Sequence, residues 1–315
     1  MTKYIVSGYI GFDNFGDEAI ASVLTDNLKK IGAEKITLIS SNPEKTAKLY
    51  GVESTGMFGF IKPIMESDVL VSGGGSLLQD VTSLKSLIYY LGIIMTALFF
   101  RKKVIIFAQG FTPFRTKIGK YLTKFVLKRC HKITVRDEKS QMLLKEMGID
   151  SILVPDPVFG IGVNVSEKRG IGLQLRTFPT LTNEFIEKLI AEIRTRFPNQ
   201  EIKLISLQDS IDLPVLEKIE GKILKNLTVH EALKELSSLE YLVGMRFHAC
   251  LAAAKAGVKV LGINYDIKVK SLAETIGFPL IELNGEGMQE GFDEMMNTGN
   301  YSIPEFRSIF DTEQN

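Results

Sequence analysis

The sequence has little of what marks several large protein classes. It has two cysteines, Cys130 and Cys250, far apart and at no metal-ligand spacing. No disulfide framework or metal site is therefore expected, and a reducing compartment is. Neither charge sign is in excess: 38 Lys and Arg face 37 Asp and Glu, which argues against nucleic acid as a partner. Long low-complexity tracts and short-period repeats are missing too. The uncharged run Leu87–Phe100 falls short of the ~20 apolar residues that a membrane span needs. Two readings of it stand: a buried or lid-like helix, or peripheral contact with the inner membrane through Leu87–Lys103, with Arg101, Lys102 and Lys103 against anionic headgroups. The opening MTKYIVSGYIGF enters a strand directly and lacks signal-peptide anatomy. The expected location is the cytoplasm, extended by that contact to the cytoplasmic face of the membrane.

What the chain does have is alternation of strands and helices across 315 residues, enough for two domains. Apolar strand patterns at Lys3–Ser7, Lys35–Ser40, Asp68–Val71, Val104–Gln109 and Lys132–Val135 alternate with helical patterns such as Ala19–Ile31 and Lys139–Met147. A glycine- and charge-rich stretch, Gly160–Arg169, reads as a linker, after which strands begin again at Gly170–Arg176. The expected fold class is α/β, with two Rossmann-like doubly wound domains around an inter-domain cleft. Residues 1–162 form the first domain and 168–290 the second. Residues 291–315 form a tail with a short helix around Pro304–Asp311.

The most informative stretch is Glu240–Ala273. A strand (Tyr241–Met245) turns through Arg246-Phe247-His248 into a small-residue helix, and a second strand runs into Asp266-Ile267-Lys268. Strand, turn and helix place Arg246 and His248 where backbone N–H groups favour an anion. Lys268 falls at the carboxyl end of the next strand, where open α/β sheets bind ligands. The competing reading makes Arg246 a surface ion pair and His248 a helix cap. Arg136 and Arg176 also end strands, Arg136 with Asp137 or Glu138 as its alternative partner. In the first half, Gly8–Glu18 and Ser72–Ser76 are glycine-rich turns where backbone can approach a ligand. The first is not a dinucleotide fingerprint. Gly11, Asp13, Asn14 and Asp17 there suit sugar hydroxyls, with helix capping as the other reading of Asp17. Gly73, Gly74 and Gly75 read either as ligand-facing or as a tight packed turn, with Ser76 able to cap the next helix. His131 and His230 read as structural and as a first-turn surface residue, respectively.

These residues, in this order, resemble the polysaccharide pyruvyl transferase family, most closely its bacterial cell-wall (CsaB-type) branch. The resemblance rests on Gly8–Gly11 with Asn14–Ala19, Ser72–Gly75, Val135–Glu138, Gly172–Arg176, Met245–Ala249 and Tyr265–Val269. It implies a GT-B-like fold and transfer of the enolpyruvyl carbons of phosphoenolpyruvate, a co-substrate, to two hydroxyls of a sugar. Phosphate is released, and no cofactor or metal is needed. The branch implies N-acetylmannosamine of a secondary cell-wall polysaccharide precursor as acceptor, carried on lipid. The ketal carboxylate is then what surface-layer proteins bind. The resemblance places functional positions at Arg136, Arg246, His248 and Lys268. Phe247 stands where leucine is usual and is expected to point into the core. Gln174 stands where serine is frequent.

On this reading His248 is the acid, Arg136 and Arg246 hold phosphate and carboxylate, and Lys268 stabilises the departing phosphate. Asp13 or Asp17 orients or deprotonates the acceptor hydroxyl. Two other functions compete: a GT-B glycosyltransferase using a nucleotide sugar, and a non-catalytic sugar- or phosphate-binding protein.

Overall fold

The computed structural model describes residues 1–81, 83–163 and 167–306. Its contacts divide into two compact units, Met1–Gly160 with Glu305 and Phe306, and Ile161–Pro304. The chain thus leaves the first unit at Gly160 and returns to it after Pro304. The short helix expected around Pro304–Asp311 lies mostly outside the described residues.

The first unit runs β1 (Lys3–Ser7), α1 (Phe15–Lys30), β2 (Lys35–Ser40), α2 (Pro43–Tyr50), β3 (Glu53–Gly56), α3 (Ile61–Glu66), β4 (Val69–Ser72), α4 (Leu84–Phe99), β5 (Lys103–Gln109), α5 (Lys117–Leu127), β6 (Lys132–Val135), α6 (Glu138–Glu146) and β7 (Ile152–Leu153). Its seven strands pair in parallel in the order β3-β2-β1-β4-β5-β6-β7. Parallel strands covered on both faces need apolar side chains in both directions, and Val-Ile-Ile-Phe-Ala in β5 supplies them. One face packs against α3, α4, α5 and α6 through Ile64, Leu87, Ile94, Leu127 and Leu144. The other packs against α1 through Leu24 and Leu28. Each fully buried side chain of this kind stabilises by about 1.5–3 kcal/mol.

The second unit runs β8 (Ile171–Gln174), α7 (Asn183–Arg196), β9 (Ile202–Ile205), α8 (Asp209–Leu216), β10 (Lys222–Leu224), α9 (Val229–Ser237), β11 (Tyr241–Gly244), α10 (Phe247–Lys255), β12 (Lys259–Asn264), α11 (Ile267–Ile276), β13 (Leu280–Glu282) and α12 (Met288–Asn297). Its strand order is β10-β9-β8-β11-β12-β13, again parallel. Helix α12 reaches into the stretch read as a tail, because Phe292 and Met295 are fully buried in this unit's core. In both sheets the order reverses beside the first strand, between β1 and β4 and between β8 and β11. Ligands bind at such switch points in open α/β sheets.

Local chemistry sets where the helices begin. Asn14, not Asp17, caps α1: its backbone is extended and its side chain accepts from the Gly16 N–H at 3.0 Å. The helix therefore starts four residues before the expected Ala19, and Asp17 sits in its first turn. Glu18 turns inward instead. Its carboxylate accepts from the Gly11 N–H at 2.7 Å and from the Tyr50 hydroxyl, tying the loop after β1 to α2. Burial pushes the Glu18 carboxyl above its ordinary range, against the pull of these two donors. Ser83, not Ser76, caps α4.

A raised carboxyl favours the fold below its unfolded value and loses that contribution as pH climbs toward the folded one. Glu18→Gln keeps an acceptor for Gly11 and removes the titration. Urea midpoints from pH 4 to pH 7 should move in the variant's favour relative to wild type as pH rises. A flat difference would mean that Glu18 titrates at its ordinary value.

Candidate functional site

At the switch point of the second sheet, the strand ladder continues beyond its ends through side chains. The Met245 N–H donates to the Gln174 carbonyl at 3.0 Å, and the Arg246 N–H to the Gln174 side-chain oxygen at 2.8 Å. Gln174 is fully buried and also donates from Nε2 to the Leu175 carbonyl and to Asp212. Its contacts within the protein answer what this residue does in place of serine: it joins β8 to the turn before α10.

Arg246 is held by Asp212 of α8. Its Nε lies 3.0 Å from Oδ2, and its Nη2 2.5 Å from Oδ1 and 3.2 Å from Gln208. The Asp212 side chain has no exposed surface and that of Arg246 keeps 11%. Backbone N–H groups of Leu207 and Gln208 also donate to Asp212. A carboxylate this deep is stable because donors surround it. Arg246 is thus a buried ion pair with one accessible margin, rather than a surface one.

Around this pair lie the other candidates of the second unit. Arg246 is the N-cap residue of α10 and places no side-chain acceptor over its first turn, so those N–H groups remain available to an anion. His248 is the second residue of that helix. It is half-buried, with its ring edge-on to Phe247 at 4.9 Å. Phe247 is half-exposed in the first turn of α10 rather than in the core. Arg176 follows β8; its guanidinium lies 5.7 Å from the Tyr265 ring centre. Burial pushes the Tyr265 phenol up, while Arg176 pulls it back. Lys268 is exposed in the first turn of α11, whose cap Asp266 accepts from the Lys268 N–H at 2.8 Å. The structure therefore gathers Arg176, Arg246, His248 and Tyr265 around the carboxyl ends of the central strands β8, β11 and β12, with Lys268 in the first turn of the adjoining helix.

The first unit has its own constellation at the β1/β4 switch. Val6, Gly8, Tyr9, Asp17, Gly73 and Gly74 are among the residues lining a small crevice of about 10 Å³, room for about one water. The Gly73 N–H donates to the Ser7 carbonyl, and a Cβ on Gly73 would sit 3.1 Å from that oxygen. A Cβ on Gly74 would press on Ile20. Gly75 has φ +97° and lies against the Asp17 carboxylate. Close packing accounts for Gly73 and Gly74, while Gly75 and Asp17 face each other. Gly11 (φ +83°) is packed just as closely, since a Cβ there would be 2.8 Å from the Asn42 backbone nitrogen. Asp13 pairs at the surface with Lys45 at 2.5 Å. The side chain of Asn14 is taken up by its cap.

Arg136 has neither Asp137 nor Glu138 as its partner. Asp137 caps α6 by accepting from the Ser140 N–H. Arg136 donates instead to Asp156 at 2.7 Å and to Ser76 at 3.2 Å, with 11% of its side chain exposed. That bond ties the end of the triple-glycine turn to Arg136, and Ser76 lies too far before α4, which begins at Leu84, to cap it.

The sequence reading missed Asp156, Asp212 and Tyr265. Asp212 had a signal: with Val215, Leu216 and Ile219 it follows the i, i+3, i+4, i+7 spacing of an apolar helix face, where an acid demands a buried partner. Among the described residues no group of three or more His, Cys, Asp or Glu is arranged to hold a metal.

Two parallel-sheet α/β domains of this strand order define a GT-B-like protein, and solved structures agree. The chain is similar to UDP-GlcNAc 2-epimerase from Methanocaldococcus jannaschii, with a TM-score of 0.69, 14% identity and coverage of 98% of this chain and 96% of that one. For the Neisseria meningitidis UDP-GlcNAc 2-epimerase bound to UDP-GlcNAc the values are 0.62, 11%, 94% and 95%. An Anabaena protein, Alr3699/HepE, in complex with UDP and glucose gives 0.59, 9%, 93% and 89%. At these identities the likeness shows the fold. No curated protein matches the sequence. The family profile of polysaccharide pyruvyl transferases matches residues 14–267, and the chain belongs to that family.

Asp212→Ala would leave the Arg246 guanidinium buried without its carboxylate. The expected loss is about 3–5 kcal/mol, read as a drop in urea midpoint. A midpoint within error of wild type would mean that solvent reaches and satisfies the arginine.

Proposed function

We propose that the protein transfers the pyruvyl group of phosphoenolpyruvate onto two hydroxyls of a sugar unit of a cell-wall polysaccharide precursor. The observation that carries this reading is the second unit's switch point, where Arg176 and Arg246 flank an uncapped helix N-terminus bearing His248. A small ligand with a phosphate and a carboxylate suits two guanidinium groups and a row of N–H donors. Membership of the family supports the transfer.

In the proposed reaction His248 gives a proton to the methylene carbon of phosphoenolpyruvate, leaving an oxocarbenium-like centre at the neighbouring carbon. One sugar hydroxyl adds there and loses its proton. The carbon–oxygen bond to phosphate breaks, with Lys268 offsetting charge on the leaving group. The second hydroxyl closes the ketal, so two hydroxyls and phosphoenolpyruvate become a cyclic ketal and inorganic phosphate. The N-acetylmannosamine acceptor, its lipid carrier and the surface-layer role belong to the same proposal. Asp17, in the first turn of α1 at the β1/β4 switch, is the proposed group for hydroxyl recognition.

Mass spectrometry of candidate acceptors incubated with the enzyme and phosphoenolpyruvate should show the added ketal together with phosphate release. His248→Ala should keep its circular dichroism and lose turnover by ~10²-fold or more. Arg176→Lys should raise KM for phosphoenolpyruvate more than it lowers kcat, since the planar fork is lost. Full activity of the His248 variant would remove the imidazole from the chemistry.

A second reading has one observation in its favour. Structures similar in fold are described with UDP-GlcNAc or UDP, and two arginines beside a helix N-terminus would also suit a diphosphate. Calorimetric titration with uridine and guanosine diphosphates separates the two, since the pyruvyl reading expects no tight nucleotide binding.

A further inference from the structure

The outer backs of α4 and α5 do not look like an ordinary solvated surface. On α4 the side chains of Ile88, Met95 and Phe99 are exposed at spacings of seven and four residues, a single stripe down one side of the helix. On α5, Ile118, Tyr121 and Phe125 do the same at spacings of three and four. Both helices pack on one face of the first sheet, within one apolar core. Phe99 is 80% exposed and Tyr121 66%, too open for either to be filling a gap in that core. Among the described residues the second unit exposes one large apolar side chain, Ile267, so exposed apolar surface concentrates in the first unit, where Phe58, Ile61 and Met65 are exposed as well.

Charge follows the same boundaries. From residue 81 to residue 136 the sequence holds no Asp or Glu, against twelve Lys and Arg (Lys85 and eleven from Arg101 to Arg136). In a chain whose net charge is +1, this is a locally basic stretch, with the nearest acids of the same face, Glu66, Glu138 and Glu146, on the flanking helices α3 and α6. On α5 the cations interleave with the apolar stripe: Lys117, Lys120 and Lys124 alternate with Ile118, Tyr121 and Phe125. Arg129 lies over the Phe125 ring at 3.6 Å. Arg101, Lys102 and Lys103 close the end of α4.

We propose that this α4–α5 face docks on an anionic lipid bilayer, with the apolar stripes seated at the boundary between headgroups and acyl chains and the cations on the phosphates. The apolar side chains stand on convex helix backs, as they do in helices that lie in a membrane interface. Diffuse negative charge complements scattered lysines that have no acidic neighbour in sequence. Among the described residues no helix is long and apolar enough to cross a membrane, so the contact is one of lying on the surface. Each lysine held near such a surface multiplies partitioning by roughly fivefold. The inference does not rest on pyruvyl transfer, because docking is measured without substrate.

The test is co-sedimentation of the full chain with vesicles of 30% phosphatidylglycerol in phosphatidylcholine, and with vesicles of phosphatidylcholine alone. Binding to the anionic vesicles should exceed binding to neutral ones by at least tenfold and fall as salt is raised. It should drop at least tenfold in Phe99→Asp/Tyr121→Asp and in Lys117→Gln/Lys120→Gln/Lys124→Gln, with thermal melts like wild type. The triple variant touches only side chains at the helix surface, so it reports even if the aspartates disturb folding. Equal partition onto both vesicle types, no sedimentation with either, or undiminished binding by the triple variant overturns the proposal. So does light scattering that finds a dimer dispersed by Phe99→Asp/Tyr121→Asp with no vesicle binding, which would make a second copy of the chain the occupant.

Discussion

A carboxylate with no contact with water, Asp212, holds the arginine on which the second unit's candidate site depends. Taking both charges out of water is costly, and the pair persists because Gln174, Gln208 and two backbone N–H groups complete its hydrogen bonding. The result is positional. With its side chain pinned to α8 and its N–H pinned to β8, Arg246 fixes the direction in which α10 begins, and with it the direction of the imidazole two residues later. The first unit uses the same device, in that Asp156 holds Arg136 and Arg136 holds the glycine turn through Ser76. In each case a guanidinium at a strand end is made rigid by an acid from elsewhere in its own unit.

This rigidity sets how chemistry is divided within the second unit. An arginine whose donors are partly committed presents a fixed edge, which suits a small planar anion better than a flexible polymer. Arg176 is held differently, by proximity to Tyr265, whose phenol burial keeps protonated. Lys268 lies on the exposed first turn of α11.

Much of this was readable from the sequence, for identifiable reasons. Strand–helix alternation showed both sheets because parallel strands are apolar on two faces and their helices on one. Arg136, Arg176 and Arg246 stood out because each directly follows an apolar strand. Their partners did not, since Asp156 and Asp212 lie 20 and 34 residues away along the chain from the arginines they bind, and spacing alone cannot pair them. The start of α1 was misplaced because Asn14 and Asp17 are equally good caps by residue type. Only the extended backbone at Asn14 decides between them. Phe247 was assigned to the core on hydrophobicity, whereas its place in the first turn of α10 gives it to the site's edge.

The return of the chain to the first unit has a consequence for how the protein is made. Phe306 packs into the core beneath α1, and its ring fills the space that a side chain at position 160 would need. The first unit therefore lacks part of its wall until some 145 further residues have been synthesised, a span that contains the whole second unit (Ile161–Pro304). On the ribosome the second unit has all of its own residues before the first unit does, so the order of completion is the reverse of the order of translation.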